Sequence, residues 1–125
     1  MTERTIYLQD YLWSVRCFIN YEPSDAPRIC HALESIGCGK RAISDAYDHL
    51  SHDSNDCGLT YSNLSTHESL LAVGRSHDKA SLINTIGHEL LHVVAHICER
   101  YRIDMHTEEP CYIMGSLCEA LFEAR

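Results

Sequence analysis

The feature that most constrains this chain is an apolar stripe between Asp78 and about Arg102. Ile83, Ile86, Leu90, Val93, Val94, Ile97 and Tyr101 recur there at three–four spacing. That period lines one face of an α-helix, and no other segment carries so strong a helical signal. The rest of the chain is read around it.

Upstream, Val15 to Tyr21 is rich in aromatic and β-branched residues and reads as a strand, with Ile6 to Leu8 as a second. Pro23-Ser24-Asp25-Ala26-Pro27 supplies turn and helix-start chemistry. Ile29, Ala32, Leu33 and Ile36 then follow at helical spacing, and Gly37 offers a stop. A second helix is expected from about Lys40 to Leu50. Beyond the polar loop Ser51–Gly58, two short strands are expected at Gly58–Tyr61 and Ser69–Gly74. A last helix should run from Glu109 or Pro110 to Ala124, with Ile113, Leu117, Ala120 and Leu121 inward. The expectation is a single α+β domain over residues 1–125, a short mixed sheet packed against the long helix and further helices.

At 125 residues one core is the natural outcome. A net charge of −8, with basic residues scattered, argues against binding nucleic acid. No apolar run approaches the ~20 residues that span a bilayer, and the N-terminus lacks a secretory pattern. The seven cysteines are odd in number and contain no C-x-x-C pair. Cys17, Cys98 and Cys118 sit among apolar residues as small buried groups, and free thiols fit a reducing cytosol. A cytoplasmic protein without membrane partners is the expectation.

Within the long helix lies His88-Glu89-Leu90-Leu91-His92. Residues four apart stand one above the other on a helix, so both imidazoles can reach one ion. Tetrahedral zinc accepts two such nitrogens and leaves room for a third protein ligand and a water. Glu89, about a quarter turn from His88, can reach a zinc-bound water and serve as its general base. Two exposed helical histidines would be the bland alternative, and the apolar residues around the motif weigh against it.

A third ligand has several candidates. His96 lies two turns beyond His88, ~12 Å along the axis, too far to share its ion. Asp104 and His106 fall in the turn that leaves the helix. Glu109, directly before the helix-starting Pro110, is preferred over Glu108. Tyr112, three residues after Glu109, shares its helix face and could donate a hydrogen bond to a developing oxyanion. Asn84 and Thr85 share a face with His88, and Gly87 could admit a close backbone approach. His31, His49, His52, His67 and His77 read as surface residues.

The H-E-x-x-H helix, an edge-like strand before it and an acidic residue on a following helix resemble the zincin-like metallopeptidases. The likeness is greatest to the small zinc-peptidase-like proteins of phages and bacterial genomes, in which a Glu-Pro-x-x-Tyr-like segment follows the motif. Here that segment is Glu109-Pro110-Cys111-Tyr112, and the resemblance spans roughly Leu70 to Phe122. It implies a zinc-dependent, gluzincin-type hydrolase with His88, His92 and Glu109 on the metal and Glu89 and Tyr112 catalytic. Its substrate would be a peptide or protein, bound by adding a strand along Ser69–Gly74. The competing expectation is a catalytically weak binding or regulatory module on the same fold. A closed structural zinc site is disfavoured, since no cysteine stands near both histidines in sequence.

Overall fold

Leu70-Leu71-Ala72-Val73 has no polar side, and both of its faces are covered. The structure, a computed structural model, describes residues 1–123. Its four-stranded sheet comprises β1 (Thr2–Leu8), β2 (Trp13–Tyr21), β3 (Gly58–Asn63) and β4 (Glu68–Gly74), in the order β1-β2-β4-β3. β1 pairs antiparallel with β2, β2 parallel with β4, and β3 antiparallel with β4. Among the described residues four α-helices complete the chain: α1 (Ala26–Ser35), α2 (Lys40–His52), α3 (Lys79–Tyr101) and α4 (Glu109–Phe122). The chain is therefore α+β with a mixed sheet. The expected end of the last helix at Ala124 lies outside the described residues.

The parallel β2–β4 pair needs a crossover, and α1, α2 and β3 fill it. Strand alternation then sends side chains to two cores. On one face Trp13, Val15, Cys17, Leu71 and Val73 pack against Leu90, Val94 and Ile97 of α3 and Ile113 and Leu117 of α4. On the other, Phe18, Tyr21, Leu70 and Ala72 pack against Ile29 and Leu33 of α1 and Ala46 and Leu50 of α2.

Two expectations are corrected here. β4, expected as the strand that receives a peptide, is interior, flanked by β2 and β3. An unbroken apolar run is the mark of a strand buried on both sides. The edge beside α3 is β3, where apolar Leu59 and Tyr61 alternate with polar Thr60 and Ser62. Ile83, assigned to the inward stripe, is 52 % exposed. Leu82 packs against the core in its place, so the buried ridge follows i, i+4 steps through Leu82, Ile86, Leu90, Val94 and Cys98.

Candidate metal centre

α3 starts on Asp78, whose side chain accepts from the Ser81 amide, and ends on Arg102 in the left-handed conformation. Its inward ridge fixes the rotation of the helix, which turns His88 and His92 outward beside β3. Their Nε2 atoms stand 3.3 Å apart. Two nitrogens at 2.0–2.1 Å from one tetrahedral ion would lie roughly 3.3 Å apart, so the pair already has the spacing of shared ligands. The donor chemistry, two imidazoles, also suits zinc.

Glu89 is rotated inward and is only 7 % exposed. A carboxylate taken out of water needs polar partners, and β3 supplies one: Thr60 Oγ1 donates to Glu89 Oε1 at 2.7 Å. The other oxygen, Oε2, faces His88 Nε2 at 3.8 Å. Gly58 makes this possible, because a Cβ there would lie 2.5 Å from Glu89 Oε2. His88 and Glu89 open onto a cleft of about 360 Å³, lined also by His49, Cys57, Gly58 and Thr85. His49 Nε2 is 3.1 Å from the Gly58 carbonyl oxygen.

β3 also presents backbone. The Gly74 amide donates to the Cys57 carbonyl, and pairing alternates along an antiparallel ladder. Gly58, Thr60 and Ser62 therefore turn their N–H and C=O groups to the open edge, consistent with the contact between His49 and the Gly58 carbonyl. Thr60, whose side chain holds Glu89, is among the residues whose backbone an added strand would meet.

One turn beyond His92, His96 stacks on it with ring centroids 6.3 Å apart. Burial first, and then His92, push its pKa below the ordinary value of 6.5. His96 Nδ1 is 2.7 Å from Ser62 Oγ, Ser62 Oγ is 2.6 Å from Ser69 Oγ, and Trp13 Nε1 donates to Ser69 Oγ at 2.9 Å. This file of hydrogen bonds crosses the sheet and ties the outer helix face to the core tryptophan.

The structure brings His88, Glu89 and His92 together and stands Glu109 and Tyr112 elsewhere. Glu109 Oε2 accepts from the Tyr11 hydroxyl at 2.7 Å, and its charge is felt at Cys98. The physical reason is helix length. From His92 to Cys98 α3 climbs ~9 Å, and the turn after Arg102 returns the chain to that far end. Burial and this carboxylate push the Tyr11 hydroxyl pKa up to about 12. Tyr112 is 71 % exposed and lines a separate hollow with Tyr7 and Tyr11. Among the described residues no third His, Cys, Asp or Glu joins His88 and His92 in a set that could hold a metal ion.

The neighbouring expectations divide in the same way. Asn84 and Thr85 line the cleft. Asp104 caps its own turn, accepting from the His106 amide. A Cβ at Gly87 would meet nothing within 4 Å, so the close approach is at Gly58 instead. His67 is not a plain surface residue: it is half-buried and stacks on Trp13 at 5.3 Å. Gly58, Thr60 and Ser62 went unread in sequence; the polar alternation at 58, 60 and 62 was the available signal. No protein-family model, curated protein or solved structure matches this chain.

Proposed function

We propose that this chain is a zinc-dependent hydrolase of the zincin-like kind, a metallopeptidase acting on extended peptides. The observation that carries the reading is the 3.3 Å spacing of the His88 and His92 Nε2 atoms, with a buried Glu89 carboxylate 3.8 Å from His88. His88 and His92 would hold the ion. When bound, zinc supplies Lewis acidity, polarising a carbonyl and making water easier to deprotonate.

The remaining work belongs to the chain. Glu89 Oε2, left open while Thr60 occupies Oε1, takes the proton of the attacking water and passes it to the leaving amine. Thr60 is a positioning residue, fixing the carboxylate through one oxygen. The open edge of β3 pairs with the peptide backbone at Thr60 and Ser62, which lays the scissile bond alongside Glu89. Seven free thiols agree with a reducing cytoplasm, and no helix among the described residues is long and apolar enough to cross a membrane.

The test pairs metal content with turnover. The purified protein should take up about one zinc per chain and cut peptides from a digest of denatured protein. Glu89→Gln should keep the zinc and lose cleavage by a factor of ~10² or more. Absence of stoichiometric zinc after zinc is supplied, or full cleavage by Glu89→Gln, overturns the reading.

A further inference from the structure

On the face of β3 opposite α3 there is a second, apolar cavity of about 270 Å³ between the strand and helices α1 and α2. Leu33, Cys38, Ala42, Ala46, Leu59 and Tyr61 line it, with the exposed Asp45 carboxylate beside them. Leu59 and Tyr61 stay half-buried although they belong to the core on that side. His49 lines both cavities.

Strand geometry connects this cavity to the proposed peptide. A chain added along β3 sends successive side chains to opposite faces. Residues that fall opposite Gly58, Thr60 and Ser62 face α3 and the His88–Glu89 cleft. Residues that fall opposite Leu59 and Tyr61 face the apolar cavity. A peptide held at the cleft thus delivers the side chain of an adjacent residue to the cavity mouth. We propose that this cavity is a specificity pocket for one apolar side chain, leucine- or phenylalanine-like, of an extended peptide whose neighbouring residue lies at the His88–Glu89 cleft. The inference rests on the peptidase reading for the peptide's path, while the pocket itself rests on its lining.

The test uses binding, so that it does not depend on turnover. Four fluorescent ten-residue peptides of Gly, Ser and Thr, carrying one central Leu, Phe, Asp or Lys, are titrated against full-length Glu89→Gln with zinc present. Burying one large apolar side chain should make the Leu and Phe peptides bind about tenfold or more tighter than the charged ones. Ala42 is exposed at the cavity rim, so Ala42→Trp can fill the pocket with little cost to the core and should bring the four affinities within about twofold. Ala42→Glu serves the same end if the tryptophan variant fails to fold. Equal affinity for all four peptides, binding of none, or a preference that survives both Ala42 variants overturns the pocket. So does a concentration-dependent dimer that Ala42→Glu dissociates, since a second copy would then be the occupant. Failures are separable: a Leu preference without cleavage by the wild-type chain keeps the pocket and sinks the peptidase, and unselective cleavage does the reverse.

Discussion

A single missing methyl group shapes the centre of the proposed site. Because a Cβ at Gly58 would stand 2.5 Å from Glu89 Oε2, Gly58→Ala must push that carboxylate away from its place between Thr60 and His88. The clash extends to Glu89 Cδ and Cγ, each 2.8 Å from that Cβ. The side chain is buried and held by Thr60, so the expected stability loss is ~1–3 kcal/mol. Zinc uptake should persist, and cleavage should fall by ~10-fold or more because a base must sit within hydrogen-bond reach. Thermal melts, zinc analysis and peptide turnover check this together; unchanged turnover would show that Glu89 needs no such room. A second residue-scale pair stitches the loop before β3 to the start of α3. His77 Nδ1 lies 2.9 Å from Asp56 Oδ2, a hydrogen bond that raises the His77 pKa above 6.5 and lowers that of Asp56 below 3.8. The histidine's contribution is complete below 6.5 and is lost as pH rises through its raised folded value. The aspartate's is present above 3.8 and is lost as pH falls through its lowered folded value. The pair therefore acts between about pH 4 and 6.5 and fades above. In an NMR titration, Asp56→Asn should move the His77 midpoint down towards ~6.5; an unmoved midpoint would remove Asp56 as the cause.

At the scale of elements, α3 depends on how it begins. Asp78 Oδ1 accepts from the Ser81 amide at 2.7 Å, satisfying one of the donors that a helix start leaves unpaired. Asp78→Ala should cost ~1 kcal/mol, or a melting temperature lower by ~3–6 °C for a chain of this size. A melt unchanged within error would mean the cap contributes nothing. This cap, like the helix it opens, was readable: polar Asp78 precedes the apolar period, and Pro110 marks the first turn of α4. Periodicity could not say which strand is the edge, because pairing order is a property of the sheet and not of any segment. Once the order β1-β2-β4-β3 is known, the unbroken Leu70–Val73 run fits an interior strand, and the alternation of Leu59 and Tyr61 with Thr60 and Ser62 fits a half-covered one. Glu109 stands with Tyr11 and not beside His88 for a geometric reason. Its nearness to Pro110 fixes where α4 starts, but the rise of α3 beyond His92 sets the level to which the chain returns. His88 and His92 needed only local helix geometry to come together, whereas Thr60 reaches Glu89 through a contact 29 residues distant in sequence.

For the whole molecule the two apolar faces of the sheet carry the fold, and the proposed metal centre lies outside both cores, on the open side of α3. Zinc should therefore add stability to a chain that already folds without it, instead of being a condition of folding. Binding confined to the folded state stabilises by ~2.7 kcal/mol at a hundredfold excess over Kd, which corresponds to a melting temperature higher by ~10 °C here. The wild-type chain and Glu89→Gln should both show that rise, since neither loses a proposed ligand. His92→Ala, which removes one, should melt near the wild-type apo temperature and respond little to zinc. His92 is exposed, so its loss leaves no cavity in the core and the variant should fold. Differential scanning calorimetry of the three proteins, with zinc and with a chelator, makes the comparison directly. An equal zinc response in His92→Ala would place the binding elsewhere on the surface, and a wild-type chain unfolded by the chelator would make the metal part of the fold itself.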